Sequence, residues 1–453
     1  MAPKLNKTRV SIFILTLIIA ISVYPGKTAL EGDQRNLLSP AERNDNWGFL
    51  TVFIYGEWPN LFGNWRYTLI LFQLFLSVLG FLLLTDDLTF RNVKQVCLFY
   101  LLFFVSVMFS IQLWRDSSLY SFSLFGFGAI NFAHKRTGQL KVMLLLIGGA
   151  SLIFASMFKP FLSLAIVPLL YWLLWQKKGE FSKKAKLLKV AALSIFILAP
   201  TILNYNFSSL MHLKRVYPEQ QPIVLDLAMN YCWGTSEAIR KSAESSLTTL
   251  VRPNYPIETV CAATNPFRWD DLHQDPKTWL YSSPISRLTG EHAKSEVSRL
   301  ISNWLNLIWR NPVDWIQVRL LFLGPVLFMS NSFVSENTPK SEANFFQKLN
   351  DSTWKLLYVL VSSLDKMRIT SLFFLLCLQV FLFYRFFTAS KETGYKVNLD
   401  LYFSIFSSAC ILVLGIVTFL APNGRYILPY VLLNYLMLFR TYFIKNRFIQ
   451  STS

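Results

Sequence analysis

Apolar residues in this chain come in blocks, separated by short polar breaks. Nearly unbroken hydrophobic stretches occupy 10–24, 65–84, 96–114, 120–132, 142–158, 161–175 and 190–203, and later 371–387, 401–420 and 426–443. A helix rises about 1.5 Å per residue, so roughly 20 apolar residues cross a bilayer core. Most of the blocks approach that length; 120–132 is short for a crossing. A further apolar stretch, 318–329, must re-enter, dip along the interface, or cross and be returned by 354–364. The pattern predicts an all-α polytopic membrane protein with about ten to twelve transmembrane helices. No repeat of solenoid period is visible.

Between the blocks lies one long polar region. It predicts an external subdomain over 204–312, with helical apolar spacing at 237–250 and 292–308. The expected division is therefore an N-terminal transmembrane module, 1–203, carrying an external first loop at 25–64, then the subdomain, then a C-terminal transmembrane module, 313–453.

Composition agrees with this pattern. The 453 residues are 53% hydrophobic and 16% aromatic, values that a soluble chain rarely combines with such long apolar runs. The basic start, Lys4, Lys7 and Arg9, fits a signal peptide, but no Ala-x-Ala-type cleavage site follows, so a retained anchor is expected. The formal charge of +18 first points toward a polyanion. Its lysines and arginines, however, gather in short loops at 4–9, 134–141, 177–189 and 445–447. That is the positive-inside distribution, which places both termini in the cytoplasm and removes the case for nucleic acid. Membrane lipids with anionic headgroups are the expected secondary partner.

With this orientation, four polar features fall at the outer ends of spans. They are Asp33 in the first loop, Arg115-Asp116 after the third span, Lys159-Pro160 in the turn after the fifth, and Arg425-Tyr426 before the last. Ionisable groups are costly near lipid and are usually paired or catalytic. A carboxylate can take a proton from an acceptor hydroxyl, and a lysine or arginine can stabilise charge growing on a phosphate. Asp33 and Asp116 are therefore the candidate catalytic groups, and Lys159, Arg115, Arg425 and Tyr426 the candidate phosphate-binding groups. Plainer roles exist for each. Glu31 and Asp45 share the loop of Asp33, Arg115-Asp116 can simply stop a span, and Lys159 can snorkel. Yet Lys159 and Arg425 run against the positive-inside trend. Trp58, Trp65, Trp114, Trp304, Trp309 and Trp315 read as interfacial belt residues.

Of the five cysteines, Cys97, Cys377 and Cys410 lie in apolar spans and are expected to be small core residues. Cys232 and Cys261 share the external subdomain, where oxidation is allowed, and form the candidate disulfide. The four histidines are scattered and no His/Cys cluster has zinc spacing.

Several short motifs carry a resemblance. Glu31-Gly32-Asp33-Gln34 looks like an acidic first-loop motif, Ala155-Ser156-Met157-Phe158-Lys159-Pro160 a Thr-Lys-Gly-Pro turn, and Gly424-Arg425-Tyr426-Ile427-Leu428-Pro429 an Arg-Tyr-x-x-Pro start. Trp309-Arg310-Asn311-Pro312, followed by Arg319, is similar to an Asn-Pro entry to the span after a large external loop, and Arg115-Asp116-Ser117 to a second acidic position. Together they resemble the GT-C superfamily of integral membrane glycosyltransferases, in particular bacterial relatives of the aminoarabinose transferase and protein O-mannosyltransferase group. The Thr and Gly around Lys159 are missing here, and a glycine separates the first-loop acids.

The resemblance implies a GT-C-like bundle in a bacterial inner membrane. It also implies inverting transfer of a sugar from a polyprenyl-phosphate donor to a lipid, glycan or protein acceptor, with Asp33 as base. Some members need a divalent metal and others do not, so no cofactor is assigned and a divalent metal stays open. Two other classes fit the same charges: a polysaccharide polymerase or ligase, and a lipid-linked glycan transporter or flippase. The last should show interrupted spans and a repeat between halves, and Gly148-Gly149 and Gly324-Pro325 are weak interruptions.

Overall fold

The structure is a computed structural model and describes residues 7–23, 49–86, 93–113, 115–159, 166–174, 194–200, 220–253, 255–264, 293–321, 371–393, 399–418 and 428–451, with a few short pieces between them. Asp33, Arg425 and Tyr426 lie outside the described residues. The described residues are helical and contain no strand, only an isolated antiparallel bridge between Val251 and Ile285.

Among the described residues the longer helices of the first part of the chain are α1 (Lys7–Ser22), α2 (Trp65–Leu84), α3 (Val93–Ser110), α4 (Arg115–Ala133), α5 (Gly138–Phe158) and α6 (Val167–Leu174), with short helical turns over 49–61. Three of them, α2, α3 and α5, are long and apolar enough to cross a membrane. The stretch expected to be too short is the interior of a 19-residue helix, because helix α4 already begins at Arg115 and its polar first turn continues into the apolar part. Two of the ends have a local cause. Helix α5 stops at Phe158 because Lys159 precedes a proline, which disfavours the helical region; Lys159 has φ −149° and ψ 82°. The last turn of α2 is closed from the side, where Asn131 of α4 donates to the carbonyls of Leu83 (3.1 Å) and Leu84 (3.2 Å).

Helix α4 sits between α2 and α5, and glycines set its distance from both. A Cβ added at Gly80 of α2 would lie 2.6 Å from the carbonyl oxygen of Leu124, and one at Gly128 of α4 would strike the carbonyl of Gly80. Gly126 faces the other way. A Cβ there would lie 2.6 Å from Leu152 Cγ and 2.9 Å from the carbonyl oxygen of Gly148 in α5. Two residues advance about 200° round a helix, so Gly126 and Gly128 open opposite sides of α4. Small residues that admit backbone approach are the usual basis of packing between apolar helices.

Three later helices complete this body: α12 (Leu372–Thr393), α13 (Leu399–Thr418) and α14 (Leu428–Ser451). Polar side chains join them. Gln379 of α12 donates to Ser404 and Ser408 of α13, each at 2.8 Å, while Asn434 of α14 accepts from Ser404 (3.0 Å) and donates to Ser407 (3.1 Å). The α14 helix also packs on α3 and α4. Cys97 and Cys377, expected in the core, are exposed, and Cys410 is half-buried. Apolar helices of this kind carry apolar residues on outward faces too, so hydrophobic neighbours do not place a cysteine inside.

A second core is built from α7 (Gln220–Trp233), α8 (Glu237–Thr248), α9 (Thr259–Ala263), α10 (Ala293–Arg310) and α11 (Pro312–Leu320). Leu227, Met229, Ile239, Leu247, Leu300 and Leu307 fill it, and Val318 of α11 joins them, so this packing continues past residue 312. Ser236 caps α8 and Asp314, in the first turn of α11, accepts from Ser236 and from Thr235 (2.9 Å). Cys232 and Cys261 are bonded, with their Cα atoms 5.4 Å apart, tying the end of α7 to α9.

The glycine spacing makes a direct prediction. Gly128→Ala forces α2 and α4 apart and should lower stability by about 1–3 kcal/mol. Gly149→Ala meets nothing within 4 Å and should be neutral or stabilising by up to about 1 kcal/mol. Thermal unfolding in detergent measures both; equal midpoints for the two variants would contradict the packing described.

Candidate functional site

The polar groups of the first body collect at one end, where α2 begins, α3 ends, α4 begins and α5 ends. Its centre is an ion pair between Asp116 and Lys159. Their side chains are 1% and 8% exposed, so both charges have left water and depend on each other. Helix geometry favours the arrangement. Asp116 lies in the first turn of α4, where the helix dipole stabilises an anion, and Lys159 caps the C-terminal end of α5, where it stabilises a cation. Because α4 and α5 run antiparallel at glycine-limited distance, those two ends coincide.

The turn that delivers Asp116 is held by Gln73 of α2. Its amide oxygen accepts from Ser118 Oγ (2.5 Å), and its nitrogen donates to the carbonyls of Ser110 (2.8 Å) and Gln112 (3.0 Å). Those carbonyls terminate α3. One amide therefore satisfies both the end of α3 and the start of α4. Around it, Ser77 bonds Ser110 (2.6 Å) and Ser121 (3.0 Å), Tyr120 donates to Ser106 (2.8 Å), and Tyr55 bonds Ser118 (3.0 Å). Tyr55 comes from a π-helical turn, Phe53–Glu57, a distortion that often marks functional positions.

Two hydroxyls at this end, Ser117 Oγ and Tyr430 Oη, are buried without a hydrogen-bond partner among the described residues. Tyr430 belongs to the first turns of α14 and lies within electrostatic range of Asp116. Buried polar atoms are nearly always bonded, so unsatisfied ones mark where water or a ligand can be accepted. Tyr430 was not picked out in the sequence, and Ser117 only as the third residue of the Arg115-Asp116-Ser117 motif. Seven consecutive residues, 115–121, include four serines or acids that face inward, and this density was the available signal.

The structure thus brings together Asp116 and Lys159, which are 43 positions apart in sequence order (159 minus 116). It leaves Arg115 half-buried at the start of α4. Asp33, Arg425 and Tyr426 lie outside the described residues, although α14 starts three residues after Arg425. No group of three His, Cys, Asp or Glu residues among the described residues could hold a metal ion.

The chain matches no protein-family model, no curated protein and no solved structure.

A second buried charge pair lies in the other core; the sequence drew attention to Arg319 only as following the Asn311-Pro312 motif, and Asp226 was missed. Asp226 of α7, fully buried, binds Arg319 of α11 at 2.8 Å. The same carboxylate accepts from the indoles of Trp304 and Trp315 (the latter at 2.8 Å) and from Asn230 (2.7 Å). Trp304 and Trp315 are therefore not belt residues: their N–H groups turn inward because a buried carboxylate needs several donors. Burial draws the Arg319 guanidinium down to about 10 against the opposing pull of Asp226, and it stays a cation at neutral pH. With every Asp226 oxygen engaged, this cluster is a structural node.

Removing one partner of the first pair leaves a buried charge alone. Asp116→Ala or Lys159→Ala should each cost about 3–5 kcal/mol. The double variant should recover much of that loss, a coupling that a thermal double-mutant cycle reads directly. Strictly additive losses would mean that the two charges do not depend on each other.

Proposed function

We propose that the chain is a polytopic membrane glycosyltransferase of the GT-C type, moving a sugar from a polyprenyl-phosphate donor to an acceptor at the external membrane face. The observation that carries this reading is the desolvated Asp116–Lys159 pair at one end of the apolar bundle. That end is the external one in the orientation set by the basic loops, and the loop bearing Asp33 and the segment bearing Arg425 connect there in sequence.

The roles follow from the chemistry. Asp33 takes the proton of the acceptor hydroxyl, whose oxygen attacks the anomeric carbon as the bond to the phosphate oxygen breaks. The polyprenyl phosphate leaves with the electron pair, and Lys159 and Arg425 bear its charge. The Asp116 carboxylate is already engaged by the Lys159 ammonium. Asp116 accordingly serves better as the group that positions Lys159 than as a second base. It holds the lysine, already dehydrated, for an incoming phosphate. Ser117 and Tyr430 hold buried hydroxyls ready for polar atoms of the donor.

Transfer in reconstituted membranes with a defined polyprenyl-phosphate sugar tests this. Asp33→Asn should lower turnover about a hundredfold or more with donor binding retained. Lys159→Arg should keep part of the activity, while Arg425→Ala should raise the donor concentration required. Full activity of Asp33→Asn would remove the assigned base. Movement of a lipid-linked glycan across the bilayer without any transfer would replace the enzyme by a flippase.

A further inference from the structure

The Asp226 node fixes the rotation of two helices, and their opposite faces are apolar and uncovered. Trp304, Leu307, Trp315, Val318 and Arg319 turn into the second core. Leu305, Trp309, Val313, Ile316, Leu320 and Leu321 consequently form an outward stripe along α10 and α11, with Trp309 86% exposed. Spacings of three and four residues keep the stripe on one side through the Asn311-Pro312 break. A stripe of this length is more than scattered surface hydrophobicity and calls for a partner.

Its position says which partner. The stripe ends at Leu321, and six residues later Leu327 packs against the core of the apolar bundle. Helix α11 also contacts α13 of that bundle. The stripe therefore runs toward the bundle itself. The exposed charges on the two helices are mostly cations, Lys294, Arg299 and Arg310 against Glu296, which complements lipid phosphates. Tryptophan on an apolar face flanked by arginine suits the headgroup level of a bilayer.

We propose that α10 and α11 lie on the membrane surface, with Trp309 and Val313 set into the headgroup region of the lipid, so that the second core rests on the bilayer beside the Asp116 end. This rests on the apolar helices spanning the membrane, and does not depend on glycosyl transfer.

The test uses the full chain with Cys97, Cys377 and Cys410 replaced by alanine and the Cys232–Cys261 bond kept. Trp309→Cys, Val313→Cys, Asn303→Cys and Phe75→Cys each carry an NBD probe in phosphatidylethanolamine–phosphatidylglycerol vesicles. Phe75, 61% exposed in the middle of α2, reports whether the bundle is in the bilayer. Lipids spin-labelled near the headgroup should quench the probes at 309 and 313 severalfold more than the one at 303, which iodide should reach. Quenching at 309 and 313 by iodide alone, or by neither agent, would overturn the proposal, the latter showing protein cover. If the probe at Phe75 escapes deeply labelled lipid, the membrane reading itself fails. Quenching at 75 with none at 309 and 313 removes this inference only.

Discussion

Three helices, α2, α4 and α5, approach as closely as their backbones allow, and the placement of the polar groups around them follows from that distance. Gly80 against Gly128 and Gly126 against Gly148 leave no room for a Cβ. At such spacing, side chains from neighbouring helices meet within one or two atoms' reach, so short hydroxyls suffice to bridge them. Ser77, Ser110, Ser118 and Ser121 are the right length. Larger residues at the glycines would separate the helices and leave these hydroxyls unpaired in an apolar interior, where each loses more than a bond between exposed groups would.

The same spacing explains how a carboxylate and an ammonium can be nearly fully buried together. Each sits at the helix end whose dipole favours its charge, and the antiparallel run of α4 and α5 brings those ends into register. Gln73 then supports the arrangement from a third helix by closing the last carbonyls of α3. The pair is thus over-determined by backbone. A site of this kind is preorganised: its two charges are held in place before any ligand arrives.

Among the described residues two carboxylates are buried, and their surroundings differ. Asp226 collects donors from Asn230, Trp304, Trp315 and Arg319 until its oxygens are engaged, and its consequence is the fixed rotation of α10 and α11. Asp116 has a charged partner but lies near the unsatisfied hydroxyls of Ser117 and Tyr430. A carboxylate whose own oxygens are all engaged holds helices together; buried hydroxyls left open at the end of a bundle can accept water or a ligand.

The helices themselves were legible in the sequence because a long apolar run has few alternatives. The stretch 65–84 returns as Trp65–Leu84, and 142–158 lies within Gly138–Phe158. The amphipathic spacing at 292–308 similarly marked Ala293–Arg310. Proline after Lys159 and the charges of Arg115-Asp116 marked the helix ends, and with them two members of the site. Pairing was not legible, since nothing in a linear pattern says that residues 116 and 159 touch. The direction a residue faces was equally hidden. Tryptophans at 304 and 315 look like interfacial residues until Asp226 supplies an acceptor, and cysteines among apolar neighbours look buried until the outward face of an apolar helix is known. Periodicity and breakers act locally, so the sequence determined the elements and their limits. Which side chains meet depends on interhelical distance and rotation, which only the packed glycines and the buried charges decided.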